Sequence, residues 1–287
     1  MEKLVLIDGS SLACRAYFVA AIKFQDELKE IKALELDGNF DSILKIENKI
    51  NPIIIENTKS IYKKFLTDIY SRERQDYNVV AWDAESGTKT FRGDLYPNYK
   101  GNRDSKSFPT GLFLELENVS SNLGYFNSKM IGFEADDIIG TLSELSKGEN
   151  IETVIISSDK DLLQLVSDSD NIKVQLPKTG MKVFSEMKEQ DILDLYGISV
   201  DKLVDFKALV GDSSDNYPGI KGIGPKTGKD LLNQFYSING IYNNLDKLSK
   251  SVFSKLENQE ENAQLFYKIA KIVTDIQLPF SIQDTKR

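Results

Sequence analysis

The sequence predicts an α/β fold with a largely parallel sheet, followed by a helical region. Three observations carry this reading. Three apolar runs each end in an aspartate: "KLVLIDGS" at Asp8, "NVVAWDAES" at Asp83 and "TVIISSDKD" at Asp159. Helical patterns lie between the runs, and strand–helix–strand alternation favours parallel strands joined by right-handed crossovers. Residues 186–287 read instead as helices around a glycine-rich turn, so the expected division is 1–185 and 186–287.

In chain order, the first run is a core strand. Residues 22–57 follow, long and strongly charged, with Ile22, Leu28, Ile31 and Leu34 spaced as an amphipathic helix packed on the core. "IYKKFLTDIY" (61–70) places Ile61, Phe65 and Ile69 on one helical face before the second strand. "EADDIIGTLSELS" (134–146) does the same with Ile138, Leu142 and Leu145 before the third. In open parallel sheets, ligands bind beyond the carboxyl ends of the strands. That rule lines up Asp8, Asp83 and Asp159 along one edge.

Taken singly, each aspartate reads equally well as a helix cap or turn former. Together the acids are harder to dismiss. Asp161 follows Asp159 by two, and in extended backbone both side chains share a face. "GFEADD" adds Glu134, Asp136 and Asp137 at a helix start, and "GDSSDN" adds Asp212 and Asp215 in a polar loop. Two unit charges ~4 Å apart repel by ~4 kcal/mol at an effective dielectric of ~20, so nine gathered carboxylates require bound cations. The chain has no histidine and a single cysteine, Cys14, which excludes Ser-His-Asp and Cys-His catalysis, a disulfide and a cysteine-built zinc site. Oxygen-only ligands select Mg²⁺ or Mn²⁺. Two such ions suit in-line displacement at a phosphodiester.

The net charge of −8 argues against nucleic acid until the basic residues are located. "TFRGDLYPNYKGNRDSK" (90–106) interleaves Arg92, Lys100, Arg103 and Lys106 with Phe91, Tyr96 and Tyr99, as along a single-strand path where cations track phosphates and rings stack on bases. "NYPGIKGIGPKTGK" (216–229) fails both nucleotide motifs: Pro225 follows Gly224 where a P-loop needs lysine, and Gly228 comes one residue late for GxGxxG. It reads as a tight turn between helices, with Lys221 and Lys226 beside a helix start suited to a phosphate. The N-terminus has no signal-peptide pattern and no run is long enough to span a bilayer, so a cytoplasmic monomer is expected.

In series, "LVLIDGSSLACRAYF", "VVAWDAESGTKTFRGDLYPNYKGNR", "GFEADDIIGTL", "IISSDKDLLQLVSD" and "KALVGDSSDNYPGIKGIGPKTGKDLL" resemble the motifs of the bacterial and phage 5′ nucleases, the 5′-3′ exonuclease and flap endonuclease-like family that includes the N-terminal domain of DNA polymerase I. The resemblance implies a PIN-like α/β core with a helix-three-turn-helix DNA-binding element at about 206–235. It implies cleavage of 5′ flaps and 5′ ends on duplex DNA and RNA:DNA hybrids, in replication and repair, with two or more Mg²⁺ or Mn²⁺ ions. Carried over by motif, Asp8, Asp83, Glu134 and Asp136 form one metal group, organised by Asp137; Asp159, Asp161, Asp212 and Asp215 form the second. Lys100 and Arg92 are implied to contact the scissile phosphate. Arg15, Tyr99, Arg103 and the turn Gly219, Lys221, Gly222, Gly224, Lys226 and Thr227 are implied to bind DNA, with a K⁺ ion held on carbonyl oxygens of the turn and a DNA polymerase as a partner. Residues 22–57 depart from the family pattern, and no polymerase domain follows, as expected of a stand-alone nuclease or a cut-out domain. Two other classes stay open: a catalytically silent protein that binds DNA flaps or ends, and a PIN-type ribonuclease, which does not account for the glycine turn.

Overall fold

The computed structural model describes residues 1–84, 88–102, 108–178 and 183–287. Among these, six strands form a single sheet in the order β3-β2-β1-β4-β5-β6. The strands are β1 (Glu2–Asp8), β2 (Tyr77–Trp82), β3 (Phe126–Lys129), β4 (Ile151–Ile156), β5 (Ile172–Pro177) and β6 (Phe184–Met187). All neighbours run parallel except β6, which is antiparallel to β5. The three strands read from the sequence are therefore adjacent, with β1 between β2 and β4, paired Asp8 to Ala81 and Ile7 to Ile156.

These strands are apolar on both sides because both faces are covered. Leu4, Leu6, Val79, Ala81 and Ile155 face one core, while Val5, Ile7, Val80, Trp82, Val154 and Ile156 face the other. Helices α1 (Gly9–Ala21), α2 (Gln25–Leu36), α3 (Phe40–Glu73) and α5 (Leu112–Asn122) pack on the second face; the short α4 (Phe91–Leu95) precedes α5 in the chain. On the first face lie α6 (Ala135–Ser146) and the C-terminal helices α7 (Glu189–Tyr196), α8 (Leu203–Val210), α9 (Pro225–Phe235), α10 (Ile238–Tyr242), α11 (Lys250–Leu256) and α12 (Glu260–Ala270). Gly9 follows Asp8 for a packing reason: a Cβ there would lie 2.7 Å from Val80 and 2.8 Å from the Trp82 ring.

Several expectations change in detail. The helix read at 61–70 is the end of α3, 34 residues that continue through Pro52, which takes one N–H out of the ladder. In the segment before it, Ile31 is buried and Leu28 and Leu34 pack against the core, but Ile22 sits in a 3₁₀ turn ahead of α2 and is exposed. On α6 the inward stripe is Ile138, Ile139 and Leu142; Leu145 faces solvent. Asp161 does not continue an extended strand beyond Asp159: it opens a 3₁₀ turn, Asp161–Leu165, and the Asp159 carboxylate accepts its N–H at 2.8 Å. The expected division at 185 falls inside β6, whose ladder runs from Val174–Met187 to Pro177–Phe184.

The chain closes by wrapping back across the sheet. Ile272 and Ile276 are buried after α12, Val273 N–H donates to Asp137 at 2.9 Å, and Lys286 bridges to Tyr77 at the start of β2. Gly140 lets this strap lie close on α6, since a Cβ there would meet Ile272 at 2.5 Å. Among the described residues no helix is long and apolar enough to cross a membrane.

Candidate metal and nucleic-acid site

The carboxyl ends of β1, β2 and β4 bring Asp8, Asp83 and Asp159 to one edge. Asp8 and Asp83 each also accept an N–H at the start of a neighbouring helix, as the capping reading expects. Asp8 Oδ1 accepts Ser11 N–H of α1 at 2.8 Å, and its Oδ2 accepts the Ser157 hydroxyl at 2.6 Å. Asp83 Oδ1 accepts Ala135 N–H at 3.0 Å, holding the start of α6 to the end of β2. Burial, with the Asp83 charge beside it, pushes the Asp8 carboxyl from 3.8 up to about 7, against the pull of Ser157. Burial, followed by the charges of Asp159 and Asp8, also raises Asp136 well above the carboxylate range. Two carboxyls reluctant to ionise beside other acids suit a site that receives a cation.

Neighbouring Asp136 and Asp137 turn in different directions. Asp137 is fully buried and accepts the Glu134 N–H at 3.0 Å, reciprocating the Glu134 cap of α6. Its carboxylate receives a bidentate pair from Arg92, both bonds 2.7 Å. Arg92 is itself 3% exposed and also donates to the Ile269 and Lys271 carbonyls, each at 2.9 Å, and to Glu134 at 3.4 Å. The structure thus places the Arg92 guanidinium beneath the acids, where its donors tie α4, α6 and the end of α12 together. That burial leaves it no path to a phosphate, unlike the contact expected from the motif.

Lys100 lies at the open side. Its Nζ donates to Glu134 Oε1 at 2.7 Å and stands 5.0 Å over the Tyr99 ring. Its backbone is left-handed, φ 52°, a conformation that side chains other than glycine hold at a cost. The return is a tie to the second acidic loop: Lys100 N–H donates to Asp215 O at 2.9 Å, Asn102 to Ser213 O at 2.9 Å and Asn216 to Asn98 O at 2.7 Å. The Tyr99 hydroxyl lies 3.0 Å from Glu134 and 3.1 Å from Asp215, so its one proton serves either carboxylate. Tyr99 is a half-buried bridge between the two acid groups rather than a free stacking platform. Arg103 and Lys106 lie outside the described residues.

The second group is organised by a residue that motif reading passed over. Lys207, on α8, donates to both Asp161 and Asp212, the latter at 2.9 Å. Burial works against the Asp212 charge, but the Ser214 hydroxyl and the Lys207 ammonium hold it down to about 2. The loop is pinned by paired backbone bonds between Asp212 and Tyr217. Lys207 precedes Asp212 by five residues, and its role shows only once α8 turns it toward Asp161. Ser10, Ser11 and Ser157 were also missed; their hydroxyls hold Asp83 N–H, Ser158 N–H and Asp8 in place.

The glycine turn joins α8 to α9. Gly211 and Gly219 both have positive φ, 84° and 62°, and their backbones touch so closely that a Cβ on Gly219 would lie 2.3 Å from Gly211 N. Gly222 is left-handed, Gly224 caps α9, Thr227 is half-buried in its first turn, and Lys221 and Lys226 are exposed beside it. Arg15, on α1, donates to Lys178 O at 2.8 Å and lines an open cavity of about 710 Å³ with Ser158, Lys160, Leu176 and Met187.

Among the described residues no three acids converge on one point closely enough to hold an ion as they stand. Lys100 and Lys207 draw Glu134, Asp161 and Asp212 onto themselves. The all-oxygen donor set and the raised carboxyls of Asp8 and Asp136 nonetheless fit a hard divalent cation.

Residues 3–197 match the 5′-3′ exonuclease, N-terminal resolvase-like domain, and residues 198–287 match the 5′-3′ exonuclease, C-terminal SAM fold. A 5′-3′ exonuclease of Mycoplasma pneumoniae is 36% identical over 97% of this chain and 88% of its own length. DNA polymerase I of Caldicellulosiruptor bescii is 34% identical over 99% of this chain, which spans 30% of that longer protein. The T5 D15 protein, co-crystallised with metal ions, shares the fold with a TM-score of 0.69 over 95% of this chain and 90% of its own, at 21% identity. With both domains matched from one end to the other and a close relative aligned along nearly its whole length, the chain belongs to the 5′-3′ exonuclease family.

Proposed function

We propose that the chain hydrolyses phosphodiesters as a structure-specific 5′-3′ exonuclease and 5′ flap endonuclease, acting on branched or 5′-ended duplex DNA and RNA:DNA hybrids. The observation that carries this reading is the physical tie between the acidic edge and the glycine-turn loop, made by residues 98–102 and 213–216. A duplex held at the turn is thereby indexed to the carboxylates.

Asp8, Asp83, Glu134 and Asp136 would hold one Mg²⁺ or Mn²⁺, and Asp159, Asp161, Asp212 and Asp215 a second. When bound, such ions supply a nucleophilic hydroxide and stabilise the leaving oxygen. The chain's own groups do the rest. Lys100, released from Glu134, meets the scissile phosphate with its ammonium. Tyr99 keeps Glu134 and Asp215 at a fixed separation, and Arg92 with Asp137 fixes the start of α6 that carries Glu134 and Asp136. Lys221, Lys226, Thr227 and the N–H groups around Gly222 and Gly224 take duplex phosphates; carbonyl oxygens of the same turn are suited to a K⁺ ion. Arg15 and Arg103 would also bind DNA. The expected units of 1–185 and 186–287 are kept, with the two residues that complete β6 counted with the nuclease unit, and the protein works as a cytoplasmic monomer alongside a DNA polymerase.

The test is cleavage of an end-labelled DNA carrying one 5′ flap, in Mg²⁺ and in excess EDTA, with Asp8→Ala and Asp159→Ala proteins alongside. Metal-dependent release of the flap, lost in both variants, is the expected result. Binding of the flap with no cutting in Mg²⁺ or Mn²⁺ points to a silent DNA-end binder instead, and preferential cutting of matched single-stranded RNA to a ribonuclease.

A further inference from the structure

Lys207 is a charged residue of the acidic edge to which the motifs assign no role. Its stem descends from α8 into the second carboxylate group, and its side chain is only 16% exposed, between Asp161 at 19% and Asp212 at 18%. Each partner is already oriented by its own backbone. Asp161 starts a 3₁₀ turn whose N–H is fixed by Asp159, and Asp212 Oδ1 is occupied by Ser214 N–H at 2.8 Å, which leaves Oδ2 for the ammonium. Lysine supplies a compact point charge on a flexible stem, so it can neutralise two carboxylates and still swing away.

We infer that Lys207 is a built-in competitor for the second divalent ion: its ammonium bridges Asp161 and Asp212 and must be displaced before an ion can use them. This rests on the metal reading proposed above and deepens it. An ammonium cannot share those oxygens with a divalent cation, because like charges within a few ångströms repel strongly in a partly buried site. In the first group the Lys100 ammonium holds a single acid, Glu134, while the Asp8 oxygens face Ser11 and Ser157; Lys207 instead spans two of the four acids of the second group. The two positions therefore differ in affinity: the second has two acids held by an ammonium against one in the first and is the weaker, and Lys207 is the side chain that makes it so. A DNA phosphate near α8 would offer the ammonium another partner and so couple uptake of the second ion to substrate.

The experiment is a titration of the full chain with Mn²⁺ in the absence of DNA, counting free ion by electron paramagnetic resonance, with calorimetry in parallel. Wild type is expected to show one tight and one weak position. Lys207→Met keeps the length of the stem without its charge, and should tighten the weak position at least tenfold while leaving the tight one unchanged. Lys207→Arg keeps a charge and should stay as wild type. Lys207→Gln provides the same test with a polar side chain should the methionine variant fail to fold. A weak position with the same affinity in wild type and in the folded uncharged variants overturns the competitor role alone. Absence of any Mn²⁺ binding in all the proteins overturns the metal reading and this inference with it.

Discussion

Removing divalent metal should make the protein less stable as the pH rises from about 4.5 to about 7.5, the opposite of ordinary acid denaturation. Asp8 and Asp136 are the two main causes, and Asp8 gives the magnitude. Its folded carboxyl ionises only at about 7, against 3.8 for an ordinary aspartate, because it is buried beside Asp83. Between those values the folded state keeps a proton that the unfolded chain has released, so stability is complete below the lower value and drains away as pH climbs to the upper. A gap of about three pH units is worth ~4 kcal/mol at about 1.4 kcal/mol per unit, of which ~3 kcal/mol is lost above pH ~4.5. For a chain of 287 residues, an unfolding entropy of about 2.1 cal/mol/K per residue converts this to a fall in Tm of about 5 °C across the window. Asp136 and Asp205, both raised by burial, act in the same direction. Glu73, Glu152, Asp201 and Asp212 are held low, so their contribution is lost only as the solution becomes more acidic than this window. The assay is calorimetry in EDTA across the window, on wild type and Asp8→Asn, with Mg²⁺ added back. Asp8→Asn should reduce the slope, with Asp136 carrying what remains, and Mg²⁺ should raise Tm most at the alkaline end. A wild-type Tm that holds level or rises in EDTA, or an Asp8→Asn slope equal to wild type, would refute the assignment of a strained carboxyl to Asp8.

Replacing Arg92 by alanine leaves the buried Asp137 charge without its bidentate partner, and should cost about 3–5 kcal/mol in urea unfolding; Arg92→Lys should recover little of it, since an ammonium cannot reproduce the fork. Lys100→Ala should lower the single-turnover cleavage rate by about a hundredfold while flap affinity changes by less than about threefold, because the charge acts where the reacting phosphate sits. Gly219→Ala forces a side chain onto the Gly211 backbone at positive φ, and should weaken duplex binding at least tenfold by fluorescence anisotropy with Asp8-dependent ion binding retained. Unaltered duplex affinity in a folded Gly219→Ala protein would remove the turn from the DNA interface.

How much of this was legible depended on the distance over which each residue acts. Asp8, Asp83 and Asp159 could be found because strand period and strand end are local patterns, and a parallel sheet converts three local ends into one edge. The turn between α8 and α9 was legible because closely spaced glycines and Pro225 at a helix start are also a local pattern. Arg92 was misjudged because its partners, Asp137, Ile269 and Lys271, lie 45 to 179 residues away, and an arginine in a basic, aromatic stretch looks alike whether it faces inward or outward. Asp161 was given the geometry of a strand that had already ended at Ile156. Ile22 and Leu145 continued a helical spacing one step beyond the face that the core covers. Lys207 opens the run "KALVGDSSDN" without an assigned role there, and its meaning comes from α8 placing it against Asp161, the first residue of the 3₁₀ turn.

The strap that closes the chain has a consequence for how the protein can be rearranged. Lys286 lies 3.5 Å from Glu2 and pairs with Tyr77, while Arg287 N–H donates to Asp76 O at 2.9 Å. Both termini therefore meet beneath the amino ends of β1 and β2, at the pole of the sheet opposite Asp8 and Asp83. A short linker could join them into a circle, and new ends opened at an exposed loop would leave the order of strands in space untouched. By the same geometry, cargo fused to Arg287 emerges on the far side of the sheet and leaves the acidic edge open to its substrate.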